Sequence, residues 1–226
     1  MYVGRIMHTG LITVKPETNL VEAQELIRKH NIKHLLVINK KGKLAGIVSD
    51  RDLKQNWASP ATTLSVHELG YLLEKVELSM IMVKAVVTVT PDTTVERAAF
   101  IMQTNNISSL PVMEGSNLVG IVTVTDVMAV LLRAIGMSED SVRLGVLVED
   151  SIGRLADVTA ILKQEQVNIQ SFFCWPDREH DGISHLVIRV AKADGVSALQ
   201  ALERSGFRVL TRYEKNLTPY LPGSAG

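Results

Sequence analysis

GIVSDRD at residues 46–52 and GIVTVTD at residues 120–126 share one pattern: glycine, two apolar residues, a hydroxyl residue, two variable positions and an aspartate. Both stretches leave an apolar run and turn polar at the same point, the mark of a strand that ends where a helix begins. Working outward, Ile6-Met7 aligns with Ile81-Met82, Thr13-Val14 with Thr88-Val89, Pro16 with Pro91 and Thr18 with Thr93, each 75 residues apart. Ala23 aligns with Ala98, Asn31-Ile32 with Asn106-Ile107, Leu35 with Leu110 and Val37 with Val112 at the same offset. One residue fewer in the second copy's turn shifts the offset to 74, and Leu44, Gly46 and Asp52 then match Leu118, Gly120 and Asp126. So many identities at one offset define two tandem homologous units of roughly 55 residues.

Each unit reads locally as β-α-β-β-α. Residues 11–14 are a short apolar strand ended by Pro16, and Leu20, Ala23, Leu26 and Ile27 then share one face at helical spacing. His34-Leu35-Leu36-Val37-Ile38 is a continuous apolar strand, residues 40–43 a hairpin-type turn, residues 44–48 the partner strand, and Asp50-Arg51-Asp52-Leu53 opens a second helix. The second unit follows the same plan, with Thr93 and Glu96 at capping-box spacing before its first helix and Met113 to Asn117 as its turn. Between the units, Ser65 and Glu68 also have capping-box spacing, and Leu69, Leu72 and Leu73 predict an apolar helix face.

A different pattern starts at Val142. Strands are predicted over residues 142–148, 167–175, 183–190 and 207–210, with amphipathic helices marked by Leu155, Val158, Ile161 and Leu162 and by Val196, Leu199 and Leu202. The order β-α-β-β-α-β is ferredoxin-like. The domain plan is therefore residues 1–56, a linker helix within 57–75, residues 76–135, a linker at 136–141, a third domain at 142–214 and a flexible tail at 215–226.

Bulk composition narrows the function. Lys plus Arg equals Asp plus Glu at 24 each, so there is no basic excess of the kind a general nucleic-acid binder carries. No apolar run reaches the length of a membrane span, and residues 1–10 lack the apolar core of a signal peptide. The single cysteine, Cys174, builds no disulfide framework and reads as a small core residue. A protein of a reducing cytoplasm, with no nucleic-acid or membrane partner, is the simplest reading. The six histidines show no metal spacing, with His180 and His185 expected to lie exposed beside a hairpin. No phosphate-loop, dinucleotide or nucleophile-elbow motif occurs. No catalytic residue and no metal ligand is assigned.

Two such units, each with the glycine-to-aspartate motif leaving its third strand, resemble a tandem pair of cystathionine-β-synthase (CBS) domains over residues 1 to about 134. The resemblance implies a regulatory module whose sheets pack together and whose two clefts hold adenosine nucleotide, AMP, ADP or ATP. The motif chemistry suits that role. Backbone N–H groups at a helix start, with the hydroxyls of Ser49 and Thr123, suit a phosphate. Asp52 and Asp126, one turn into the helix, suit the two hydroxyls of a ribose, as acidic residues do in dinucleotide folds. Gly46 and Gly120 permit close backbone approach. The resemblance also implies base pockets at the end of the first strand and the start of the second. The nucleotide-binding set is then Ile12, Thr13, Lys33, His34, Ser49 and Asp52 in one cleft, and Val87, Thr88, Ser109, Leu110, Thr123 and Asp126 in the other. Ser or Thr followed by an acidic residue is equally a helix N-cap. The second cleft reads as the better site, because Leu110-Pro111 matches the family's usual strand and Asp50 beside Ser49 opposes phosphate unless Arg51 or Arg5 compensates.

Asp150, Gly153, Leu155, Val158, Leu162 and Asn168-Ile169 resemble ACT domains, which sense amino acids and related small molecules. The resemblance implies an effector-binding turn at Asp150, Ile152, Gly153 and Leu155, with Ile152 in place of the usual proline. The full architecture, two β-α-β-β-α CBS units packed as one module plus a C-terminal ferredoxin-like βαββαβ ACT domain, resembles regulators of the acetoin-utilisation protein B type. The expectation is a non-catalytic homodimeric regulator of a target enzyme, responding to small-molecule effectors. The alternative is a ligand-free dimeric scaffold that docks an enzyme.

Overall fold

The computed structural model describes residues 1–57 and 66–223, which divide into two compact units, Met1–Met128 and Ala129–Gly226.

In the first unit β1 (Thr13–Val14) precedes α1 (Leu20–His30), the hairpin β2 (His34–Ile38) and β3 (Leu44–Ser49), and the short helix α2 (Asp50–Gln55). Helices α3 (Val66–Lys75) and α4 (Leu78–Ile81) lead into the second repeat, formed by α5 (Val95–Asn105), β4 (Ser109–Glu114), β5 (Asn117–Thr123) and α6 (Val124–Ala134). Helix ends repeat as faithfully as strands. Asn19 caps α1 by accepting from the Glu22 amide at 2.9 Å, and Thr94 caps α5 by accepting from the Arg97 amide at 3.2 Å. Both helices stop at an asparagine in the left-handed region, Asn31 at φ 49° and Asn106 at φ 52°. The cap is Thr94 and not Thr93, whose hydroxyl instead accepts from the Thr90 amide in the preceding turn. Leu73 of α3 turns into the core while Leu72 faces solvent. The predicted cap Ser65 lies outside the described residues.

Strands β2 and β3 pair antiparallel, β1 pairs parallel with β2, and the register breaks after Val37; β4 and β5 pair the same way, with the break after Val112, the equivalent position. The repeat fails at one place. The strand expected near Val86–Val89 is reduced to a single parallel bridge between Val89 and Val112. In the first repeat Thr13 pairs with Leu36, but the equivalent of Leu36 is Pro111, which has no N–H to form that rung.

The two repeats exchange their leading segments. Tyr2 bridges to Thr94 and His8 to Ile121, while Glu77 bridges to Asn19 and Val83 to Ile47. The equivalent bonds are made both times: His8 and Ile121 exchange backbone bonds of 2.9 and 3.0 Å, Val83 and Ile47 of 3.0 and 3.1 Å. Val3 and Leu78 carry the exchange into the core, each fully buried. This packing explains the paired glycines. A Cβ on residue 46 would stand 2.7 Å from Met82 Sδ and 3.0 Å from the Val83 carbonyl oxygen; one on residue 120 would stand 2.5 Å from Met7 Sδ. The glycine in each motif admits the segment that the other repeat lends.

In the second unit β6 (Ser141–Glu149), α7 (Arg154–Gln164), β7 (Ile169–Pro176), β8 (Ile183–Ala191), α8 (Gly195–Arg204) and β9 (Val209–Leu210) form a sheet of order β7-β8-β6-β9, the ferredoxin-like arrangement. Leu144, Val146 and Val148 of β6 and Leu186, Ile188 and Val190 of β8 bury against Val158 and Leu162 of α7 and Ala198 and Leu202 of α8. Cys174 is exposed, contrary to the core reading, on the edge strand β7. The histidines of the hairpin are not free either. Asp177, 7% exposed, accepts from His180 Nδ1 at 2.9 Å and from His185 Nε2, and His185 stacks on Trp175, which stacks on Phe173. In the tail, Thr218–Tyr220 form a 3-10 turn, and residues 220–223 line an open cleft of about 270 Å³ with Leu147 and Phe207.

Candidate functional site

Each repeat closes its strand-to-helix junction with the same bonds. Ser49 ends β3 and caps α2: its hydroxyl accepts from the Asp52 amide at 3.2 Å, while Asp52 Oδ2 accepts from the Ser49 amide at 2.7 Å and hydroxyl at 2.6 Å. Asp126 Oδ2 likewise accepts from the Thr123 amide at 2.8 Å and hydroxyl at 2.6 Å. The far side of each junction is the start of the middle strand: the Asp50 amide donates to the Lys33 carbonyl and the Val124 amide to the Ser108 carbonyl, both at 2.9 Å. The aspartates and hydroxyls thus form capping boxes. The two strand starts meet where His34 Nε2 lies 3.0 Å from Ser108 Oγ.

The remaining predicted residues distribute unevenly. Thr13, Lys33, Val87 and Thr88 are exposed and Ile12 is half-buried, whereas Ser109 is buried and Leu110 fully so, its side chain belonging to the core. The junctions also differ in ways the motif does not reveal. Asp126 Oδ1 takes a bond from His8 Nε2 at 2.9 Å, and His8 belongs to the exchanged N-terminal segment. Among the described residues Asp52 Oδ1 makes no such bond; the residue equivalent to His8 is Val83. Asp50 pairs with Lys54 at 3.0 Å, so the compensating cation is Lys54 rather than Arg51 or Arg5. That i,i+4 spacing was readable in the sequence. No local signal pointed to His8, since its contact joins residues 118 apart.

Electrostatics follow the contacts. Burial alone would raise the Asp126 pKa, but the bonds from Thr123 and His8 outweigh it and hold the carboxyl below its ordinary value. The Lys54 bond does the same for Asp50. Burial lowers the His34 pKa, opposed by Asp50 and Asp52, so the ring is more readily neutral than a free histidine.

In the second unit the predicted effector turn is open. The Asp150 amide donates to the Gly182 carbonyl at 2.8 Å, Gly153 takes φ 98° before α7, and Arg154 pairs with Glu149 and, at 3.5 Å, with Asp157. Ile152 is fully exposed and Leu155 is 41% exposed. A glycine is required at 153 because a side chain disfavours this left-handed backbone.

Residues 3–58 and 77–133 match the CBS domain family, the same two spans that carry the paired junctions. The chain belongs to the CBS domain family. Residues 142–206 match the ACT domain, so this CBS protein joins two kinds of regulatory domain. Its CBS pair is 30% identical over 134 residues to a CBS domain-containing protein of Dictyostelium discoideum, covering 59% of this chain and 92% of that one. It is 32% identical over 127 residues to a homoserine O-acetyltransferase of Methanohalobium evestigatum, covering 56% of this chain but 23% of the enzyme. The fold is similar to that of a CBS-domain containing protein from Agrobacterium tumefaciens, with a TM-score of 0.51 and 25% identity over 58% of this chain and 99% of that one. Among the described residues no helix is long and apolar enough to cross a membrane, and no cluster of three or more His, Cys, Asp or Glu side chains could hold a metal ion.

Proposed function

We propose that this CBS–ACT protein is a non-catalytic cytoplasmic regulator that binds an adenosine nucleotide in its CBS pair and an amino acid or small acid at the Asp150–Leu155 turn. The single observation that carries the reading is the repeated junction: a helix start, a hydroxyl and a carboxylate side by side at Ser49–Asp52 and again at Thr123–Asp126. The Ser49 and Thr123 hydroxyls, whose protons go to Asp52 and Asp126 in the closed cap, would turn to phosphate oxygens, and the ribose diol would donate to the carboxylate oxygen turned away from the cap. We place the tighter binding in the first cleft. Lys54 offsets the charge of Asp50, which removes the objection to phosphate there, and Asp52 keeps one oxygen free of the cap while His8 occupies the same oxygen of Asp126.

The protein acts as a homodimer in this reading, because family members cover their apolar faces and strand edges by self-association. The order of domains favours a role in acetoin utilisation. The deciding experiment is mass spectrometry of small molecules released on denaturation, with calorimetric titration of AMP, ADP and ATP. Released adenosine nucleotide, or saturable binding, supports the regulator. Neither would leave the capping boxes as purely structural devices and favour the dimeric scaffold.

A further inference from the structure

The two junctions differ at a second place, the residue across the strand pair from their hydroxyl. The β2–β3 register sets His34 directly opposite Ser49. In the second repeat the equivalent pair is Ser109 and Thr123. Residues so paired share one face of the sheet, with Cβ atoms about 4.5–5.5 Å apart. One junction therefore faces a titratable ring and the other a second hydroxyl. The ring is half-buried and held at one end: Nε2 lies 3.0 Å from Ser108 Oγ, while Nδ1 has no partner among the described residues. Among the described residues, Asp50 and Asp52 face the ring from α2, Lys33 precedes it on β2, and its neighbour from the second repeat is the uncharged Ser108. Carboxyls ionise at about 4 and lysine at about 10.4, so His34 is the group in this set that changes charge near neutral pH. With no ligand bound, burial outweighs the two carboxylates and holds the ring below its ordinary 6.5, so it is mostly neutral at about pH 7.

We propose that His34 is a proton-gated charge of the first cleft: it takes up a proton when a phosphate group occupies the Ser49 junction, so that phosphorylated ligands bind there with a pH dependence the second cleft lacks. The inference rests on the nucleotide reading and adds the regulation of that site. A phosphate monoester carries about −1.5 to −2 charges, and an opposite charge a few ångströms away favours the imidazolium. The contact to Ser108 permits both states. A neutral ring can accept the Ser108 proton at Nε2, whereas the imidazolium donates there and gains a second donor at Nδ1. In the second cleft Ser109, 7% exposed, has no charge to gain. The sign follows. Phosphate raises the pKa of the bound state above that of the free state, so affinity rises as pH falls through the bound value and levels off below the free one. Each unit between the two values is a factor of about ten in affinity. The start of β2, read from the sequence as part of a base pocket, thus acts at the phosphate end of the first cleft.

The test uses the full chain, with AMP and adenosine as separate probes. Calorimetric titrations are run at about pH 5.5 and 7.5, and the His34 ring resonances are followed by NMR across the same range. AMP should move the His34 titration to higher pH, and adenosine, which has no phosphate, should leave it in place. The tightening of AMP between the two pH values should be at least about threefold greater in the wild type than in His34→Gln. The phosphate's own ionisation at about pH 6 is common to both proteins and cancels in that comparison. The ring resonances are read on the wild type, so the test stands even where His34→Gln fails to fold. AMP binding with the same pH ratio in both proteins, a His34 titration that AMP leaves unmoved, or an equal shift with adenosine would overturn the assignment and leave the nucleotide reading intact. No AMP binding at either pH would overturn both.

Discussion

Replacing Gly120 by alanine tests whether the paired glycines serve packing or ligand. The backbone there needs no glycine conformation, so the effect is one of space. The added methyl would stand 2.5 Å from Met7 Sδ, 3.0 Å from Met7 Cγ and 3.2 Å from the His8 carbonyl oxygen. The thioether can swing aside, but the carbonyl is tied to the Ile121 amide at 3.0 Å. Overpacking of this kind costs roughly 1–3 kcal/mol, and the lower chain entropy of unfolded alanine returns about 0.4–1 kcal/mol. The net is a loss of about 1–2 kcal/mol, or roughly 4–8 °C in a unit of this size. Urea unfolding followed by circular dichroism reads it directly. Gly70→Ala is the internal control: it sits in α3 with nothing within 4 Å of a built Cβ, and should stabilise by about 0.5–1 kcal/mol. Adding Met7→Ala to Gly120→Ala should recover part of the loss, giving a coupling of at least about 0.5 kcal/mol. A neutral Gly120→Ala, or a double mutant whose losses simply add, would refute the packing account. A stable Gly120→Ala that no longer binds nucleotide would return the glycine to the ligand.

Three further outcomes follow from named contacts. Asp52→Ala should weaken nucleotide binding at least about tenfold by calorimetry, while His8→Ala, which frees Asp126 Oδ1, should tighten the second cleft. Asp177→Asn should cost the ACT unit about 1.5–3 kcal/mol at neutral pH in a melting experiment. The carboxyl of Asp177 is held far below its ordinary value, first by the His185 bond and then by the Glu179 amide and His180, against the pull of burial. A depressed folded pKa gives stability that is full above the unfolded value, near 3.8, and is lost as pH falls below it, so the variant should flatten the acid limb of the wild-type stability curve. Asn31→Ala should cost about 1–2 kcal/mol because alanine resists φ 49°, and Asn31→Gly should be neutral or better in the same melts.

The fold was legible because strands such as β2 and β8 are dense in aliphatic residues, two of the three units repeat each other and the third has a full β-α-β-β-α-β order. Leu35 and Val37 on β2 and Leu110 and Val112 on β4 are buried where the alignment places them. What could not be read locally depends on backbone chemistry or long-range contact. Pro111 removes one rung and with it a predicted strand. Thr94 rather than Thr93 caps α5 because the helix starts one residue later than the acidic spacing suggests. Cys174 lies outside the core because an edge strand has a neighbour on one side only. The His8 bond spans 118 residues, and no motif could encode it.

The glycine-to-aspartate motif recurs because folding alone demands it. Its glycine admits a methionine from the exchanged segment, and its hydroxyl and carboxylate satisfy the first amides of a helix. A copy of the motif would therefore persist in a cleft that binds nothing. The part of the site free to report on binding is the carboxylate oxygen the cap does not use. At Asp52 that oxygen has no partner among the described residues, and at Asp126 it holds His8. Two junctions built from one repeat thus differ at the atom a ribose would need, and the difference comes from the N-terminal segment and not from either motif. Because that segment also closes the packing against Gly120, a ligand drawing His8 away from Asp126 would loosen the contact that joins the two repeats. Occupancy of the second cleft would in this way be coupled to the packing of the whole pair, while the first cleft, with Val83 in the equivalent place, would fill without that cost.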